Sequence, residues 1–183
     1  SAMAGVTGNF ERALLESSRV LAVRGKILPA TLANVTLCAD TREPALTRVT
    51  GESEIGRHGK PIERVYLEPE HVPAYPGVVR AILEAEIVIV GPGSLYTSVL
   101  PNLLVEEIKQ ALEASQARKV YVCNVATQPG ETNDFSVQDH FDALEQHIGQ
   151  GMFTHVIANN NWNVNFSPIA ESNLREKTVC FPS

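Results

Sequence analysis

The sequence has few of the features that mark membrane, disulfide-rich or nucleic-acid-binding proteins. No apolar run approaches the roughly 20 residues that a membrane-spanning helix needs. The three cysteines (Cys38, Cys123 and Cys180) have no metal-ligand spacing, and their odd number argues against a disulfide framework. Positive charge is also scarce, because 15 Lys and Arg against 21 Asp and Glu give a formal charge of −6. That balance excludes a general nucleic-acid binder.

The features that are present predict one globular domain in the cytoplasm. The chain has 183 residues, 44% hydrophobic and 20% charged, which is ordinary for a folded protein of this size. The cysteines are typical of core thiols in a reducing compartment, and the first residues show no secretory signal. We predict a single domain over residues 1–183, with a helix plus β-rich segment at 8–69 and a βαβαβ segment at 70–183.

The first of these segments combines one helix with short strands. Residues 9–23 have the apolar spacing of a helix, and Asn9 can cap its start. Between residues 26 and 69, short β-like runs alternate with turn residues and glycines, which predicts antiparallel hairpins. The candidate strands are Ile27-Leu28, Val35–Ala39, Leu46–Thr50 and Ile62–Leu67.

The second segment alternates strands with helices. The segment Glu86–Val90, in which four consecutive β-branched apolar residues follow the glutamate, predicts a strand covered on both faces. Further strands are predicted at Val120–Cys123 and Thr154–Ala158. Apolar residues at helical spacing lie between these strands and before the first of them. Ser136 with Asp139 forms a capping-box variant at the start of the last helix. This order predicts right-handed crossovers and a parallel sheet, and therefore an α/β fold.

Two polar loops follow the first two of these strands, at the edge where parallel sheets bind ligands. In the first, Gly91 and Gly93 permit close approach to the main chain, whose N–H groups could meet an anion at a helix start. Hydroxyl groups on Ser94 and Thr97 add donors without charge. A tight strand-to-helix turn also needs glycine, so the purely structural interpretation stays open.

The second loop, residues 124–134, concentrates amide, hydroxyl and carboxylate groups. Such groups can bond to a base, a ribose or a sugar, or they can satisfy their own backbone. The candidates are Asn124, Thr127, Gln128, Glu131 and Thr132. On the helix that follows, His140 and His147 lack the i, i+4 spacing of a metal site, which favours packing roles.

The loops resemble the hallmarks of a known family. Residues 91–105, and residues 119–124 with 127–132, are similar to two motifs of the gluconeogenesis factors (YvcK-like), and residues 20–31 resemble a third. The family is related to the 2-phospho-L-lactate transferases (CofD-like). Departures from its pattern are Ala126 in place of methionine, Asn133-Asp134 in place of an acidic-Gly pair, and Glu106-Glu107 in place of Pro-Gly.

The resemblance implies a Rossmann-like, three-layer fold with a parallel sheet core and a β-rich N-terminal segment. It also implies binding of a nucleotide diphosphate or a nucleotide sugar such as a UDP-sugar, with no other cofactor required. Gly91, Gly93 and Ser94 would hold phosphate, while Asn124, Thr127 and Gln128 would contact base or sugar. The implied role is regulatory, in gluconeogenic growth, cell shape and envelope synthesis.

Two alternatives remain beside the regulatory role. One is a phospholactate-type transferase that uses a guanosine diphosphate donor and a metal. The other is an interaction module or homo-oligomer. Family members open with a Gly-rich phosphate loop and an Asp-Asp-Gly-Gly stretch, and neither occurs here. We therefore expect a C-terminal part of the family fold without its first βαβ unit.

Overall fold

A computed structural model describes residues 25–42 and 47–160, and the structural statements below concern these residues. The predicted helix at 9–23 and Cys180 lie outside them. The described chain forms two three-stranded sheets, one antiparallel and one parallel, with helices packed against them. No helix in these residues is long and apolar enough to cross a membrane.

The antiparallel sheet contains β1 (Thr36–Thr41), β2 (Thr47–Thr50) and β3 (Ile62–Glu68) in the order β2-β1-β3. Its register pairs Cys38 with both Thr50 and Tyr66, which confirms the predicted antiparallel arrangement. The predicted strand Ile27-Leu28 is wrong, because these residues form no ladder. Two apolar residues are too few to establish the alternation that a strand needs.

The connection between β2 and β3 is a helix, α1 (Glu52–His58), which the sequence interpretation missed. Its acidic residues lie in the first turn and its basic residues in the last, which complements the helix dipole. Ile55 is buried on its inner side. The glycines at 51, 56 and 59 suggested a turn, but Gly51 and Gly59 cap the helix and Gly56 lies within it.

The parallel sheet contains β4 (Ile87–Val90), β5 (Arg118–Val122) and β6 (His155–Ile157) in that order. The helices of this part are α2 (Pro76–Glu84), α3 (Leu100–Leu103), α4 (Glu106–Ala114) and α5 (Val137–Ile148), with a π-helical turn (Leu95–Val99) before α3. The mixed α/β fold with a parallel sheet is confirmed. Pro101 lies in the first turn of α3, as its sequence position suggested.

One face of the parallel sheet is exposed. Ile87 and Ile89 in β4 are 56% and 62% exposed, and Ile157 in β6 is 56% exposed. The prediction that β4 is covered on both faces is therefore wrong for the described residues. Val88 and Val90 point to the other face and pack against the hydrophobic core. An apolar run indicates two apolar faces, but it does not show what covers each one.

Helix α5 joins the two sheets. Its predicted capping box is confirmed, since Ser136 Oγ accepts from the Asp139 N–H while the Asp139 carboxylate accepts from the Ser136 N–H. His140 is fully buried. His147 Nε2 accepts the N–H of Val65 in β3 at 3.0 Å. Both histidines therefore have the packing roles that the sequence favoured.

The outer face of the antiparallel sheet carries a polar cluster above a thiol. Arg48 and Arg64 lie over the ring of Tyr66, with guanidinium carbons 5.7 and 5.2 Å from its centroid. Arg64 Nε also donates to Asp40 Oδ2 at 2.7 Å. Beneath this layer Cys38 has no exposed surface, and Arg48 Nη2 lies 3.2 Å from its Sγ. The side chains above it shield the thiol from water.

Candidate functional site

The two polar loops lie side by side because β4 and β5 are paired neighbours in the parallel sheet. Val90, the last residue of β4, is in register with Tyr121. Gly91 has φ +85°, and a Cβ there would lie 2.5 Å from the main-chain oxygen of Val122. Glycine is therefore needed at 91 for the first loop to cross the end of β5.

A pair of hydrogen bonds connects the loops at Gly93 and Asn124. The Gly93 N–H donates to Asn124 Oδ1 at 2.9 Å, and Asn124 Nδ2 donates to the Gly93 oxygen at 2.9 Å. The side-chain amide thus bonds to the neighbouring backbone as another strand would. The sequence predicted that the Gly93 N–H would bind an anion, but in the structure this N–H donates to the side chain of Asn124.

A second connection runs from Ser94 through Gln128 to Glu131. Ser94 Oγ donates to Gln128 Oε1 at 2.7 Å, and Gln128 Nε2 donates to Glu131 Oε1 at 2.9 Å. The same carboxylate oxygen accepts the hydroxyl of Thr97 at 2.7 Å. Four of the predicted site residues therefore form one continuous hydrogen-bonded chain across both loops.

Glu131 lies beneath the loops and not at their surface. Its side chain is buried, with the residue only 4% exposed, and Oε2 accepts the main-chain N–H of Tyr96 at 3.3 Å. Tyr96 lies at the start of the π-helical turn, where a bound anion is also favoured. The carboxylate of the protein itself takes that position. The Tyr96 N–H is a partner that sequence reasoning missed.

Thr132 and Gly130 hold the second loop in place. Thr132 is 1% exposed, and its Oγ1 accepts the Gln128 N–H at 2.9 Å. Gly130 has φ +87°, and a Cβ there would lie 2.2 Å from the oxygen of Gly56 in α1. The loop thus packs tightly against α1, which connects the candidate site to the antiparallel sheet.

A cavity of about 330 Å³ opens between the two loops. Five of the predicted site residues line it, namely Gly93, Ser94, Asn124, Thr127 and Gln128. The other four, Gly91, Thr97, Glu131 and Thr132, do not line it, and the last two are buried behind it. The rest of the lining is apolar (Pro92, Val122, Cys123, Val125 and Ala126), and sequence reasoning did not propose these residues as ligand contacts because they carry no polar side-chain group.

Cys123, the titratable residue that lines this cavity, is neutral at pH 7. Burial raises the pKa of the Cys123 thiol to about 11, so the thiol holds its proton and is a poor nucleophile. Burial likewise raises the pKa of Tyr96 to about 12. Within residues 25–42 and 47–160, no group of three or more His, Cys, Asp or Glu side chains is arranged to hold a metal ion.

Comparison with known proteins identifies the protein family that has this fold and these two loops. The chain belongs to the CofD family, since the model described as 2-phospho-L-lactate transferase CofD matches residues 1–179. Its similar relatives are gluconeogenesis factors. It is 47% identical over 159 residues to the gluconeogenesis factor of Bacillus subtilis, and 46% identical over 176 residues to a putative one of Nostoc. The sequence resemblance to this family is confirmed.

The chain spans half or less of the length of these relatives. The matches cover 87% and 96% of this chain but 50% and 37% of the two relatives. A crystal structure of a UPF0052 family member from Bacillus halodurans is also similar. It has a TM-score of 0.86 and 40% identity, over 99% of this chain and 58% of that one.

Proposed function

We propose that the protein binds a nucleotide diphosphate or a nucleotide sugar, such as a UDP-sugar, across the two loops. It would do so as part of a cytoplasmic regulatory factor for gluconeogenic growth, cell shape and envelope synthesis. The observation that carries this proposal is the cavity between the loops, which both of them line. Its position beyond the ends of parallel strands is where α/β folds bind ligands.

The chemistry of the lining supports this ligand class. Asn124 and Gln128 each use one donor and one acceptor in hydrogen bonds within and between the loops. An amide nitrogen has a second hydrogen, and an amide oxygen has a second lone pair. The remaining groups fit ribose and sugar hydroxyls or the edge of a base. The apolar residues of the lining can cover a ring face.

The transferase alternative has the family description in its favour, because the matching family model is named for that activity. A metal does not fit the part of the site described here. Glu131 is the acidic group of the loop chain, and its two oxygens already accept three hydrogen bonds. A metal for the transfer reaction would therefore be held by residues outside these two loops.

The direct test is a calorimetric titration of the full-length protein with UDP- and GDP-linked sugars. Gly93→Val should abolish binding, because a β-branched side chain would block the close approach of a ligand to the main chain of the first loop. Gly93→Ala is the folding control, since a Cβ there has only ordinary contacts at 3.5 and 3.7 Å. Unchanged affinity in the valine variant would reject the first loop as part of the site.

A second assay separates the two functions. The full-length protein is incubated with a deazaflavin acceptor and a guanosine diphosphate-linked donor. Binding without turnover is expected for the regulatory factor. Formation of the transferred product would instead assign the transferase activity.

A further inference from the structure

The cavity between the loops combines an uncharged lining with a buried negative group behind it. Every residue that lines it is apolar or neutral and polar, with no Lys or Arg among them. The carboxylate of Glu131 lies one hydrogen bond from Gln128, which lines the cavity. A pyrophosphate group in this cavity would meet a like charge and no cation.

Glu131 also accepts hydrogen bonds from donors that a phosphate would otherwise use. Its carboxylate accepts the Tyr96 N–H at the start of the π-helical turn and the hydroxyl of Thr97. The Gly93 N–H is donated to Asn124. Phosphate sites in α/β folds depend on main-chain N–H groups of this kind. In this structure, groups of the protein itself accept them.

We propose that this cavity takes the uncharged part of the ligand, a nucleoside or a sugar, and that Glu131 is the positioning residue that keeps phosphate out of it. The inference rests on the proposed function, and it assigns one part of the nucleotide sugar to this part of the chain. The phosphates would then lie outside the cavity, toward residues that do not line it.

The size of the cavity agrees with this assignment. At about 330 Å³ it lies at the low end of the range of small-molecule sites. It therefore suits one ring system with its hydroxyls better than a whole nucleotide sugar. The side-chain amides of Asn124 and Gln128 are complementary to such groups, because each can both donate and accept.

The test uses the full-length protein and four probes, each added separately: uridine, a free hexose, inorganic pyrophosphate and a UDP-sugar. The measurement is the NMR chemical-shift change of the side-chain amides of Asn124 and Gln128 and of the loop N–H groups. We expect the UDP-sugar and one of the two neutral probes to shift these signals. Pyrophosphate at the same concentration should leave them unchanged.

The variant Glu131→Gln tests the role of the carboxylate. It removes the charge but keeps an acceptor oxygen, so pyrophosphate affinity at the loops should rise on the order of tenfold. Glu107→Gln is the matched control, because Glu107 also accepts a main-chain N–H, that of Ala74 at 2.6 Å, but lies at a different cavity, between α2 and α4. The control should bind pyrophosphate as the unmodified protein does.

The outcomes separate this inference from the proposed function. If pyrophosphate shifts the loop signals of the unmodified protein as strongly as the neutral probes do, the inference is wrong while nucleotide-sugar binding stands. An equal change in both glutamine variants would also overturn it. If the UDP-sugar binds nowhere on the protein, both proposals fail. The probe experiment needs no variant, so it decides even if Glu131→Gln does not fold.

Discussion

The close packing of the second loop on α1 leads to a quantitative prediction for Gly130→Ala. Gly130 has φ +87°, and an added Cβ would lie 2.2 Å from the main-chain oxygen of Gly56. The strain of a left-handed conformation costs an L-residue about 1–2 kcal/mol. Overpacking against a backbone atom adds about 1–3 kcal/mol. The variant should therefore lose about 2–5 kcal/mol of unfolding free energy.

Gly151→Ala separates these two contributions. Gly151 has φ +75°, close to that of Gly130, but a Cβ there would meet nothing within 4 Å. This control should lose only the conformational part, about 1–2 kcal/mol. The difference of about 1–3 kcal/mol between the variants then measures how tightly the loop packs on α1.

Urea unfolding with linear extrapolation gives both free energies, provided that the m-values of the variants agree. Equal losses in the two variants would refute the reasoning, because they would show that α1 moves away without cost. A larger loss in Gly130→Ala than in Gly151→Ala, together with weaker nucleotide-sugar binding in Gly130→Ala alone, would connect the packing of α1 with the geometry of the loops.

Two further predictions concern α5. Ser136→Ala should lower the free energy of unfolding by about 1 kcal/mol, because it removes the capping box. The control Ser53→Ala, at an exposed position, should have little effect. Equal urea midpoints for the two variants would contradict the role of the cap. Burial lowers the pKa of His147 below its usual 6.5, so the unfolded chain binds more protons and stability falls as the pH drops from about 7 towards 5. His147→Phe should reduce this slope by up to about 1.4 kcal/mol per pH unit, and an unchanged slope in urea titrations would contradict the assignment.

The regular secondary-structure elements could be predicted because their sequence signals are local. The apolar run of β4, the helical spacing of α5 and the Ser136–Asp139 cap each lie within a few residues of sequence. Helix α1 was missed because Gly56 is a weak helix former, and its stability comes from burial of Ile55. Coverage of β4 on both faces was also predicted incorrectly, since it depends on elements distant in sequence.

The candidate site could likewise be predicted only in part from the sequence. The proximity of the two loops was predicted correctly, because the ends of neighbouring parallel strands meet at one edge of a sheet. It did not show that Asn124 would pair with the Gly93 backbone, or that Glu131 would be buried beneath the start of the π-helical turn. Those contacts depend on side-chain directions within the loops, which a motif does not specify. Nucleotide binding by these residues remains a prediction.

The shielded thiol of the antiparallel sheet provides a built-in reporter. Cys38 can react with an alkylating reagent only when Arg48 and Tyr66 move away or β1 separates from its neighbours. The rate of its labelling under native conditions thus measures how often this sheet opens. Because α1 contacts both this sheet and the second loop, ligand-dependent protection of Cys38 would show that occupancy of the loops stabilises the opposite side of the molecule.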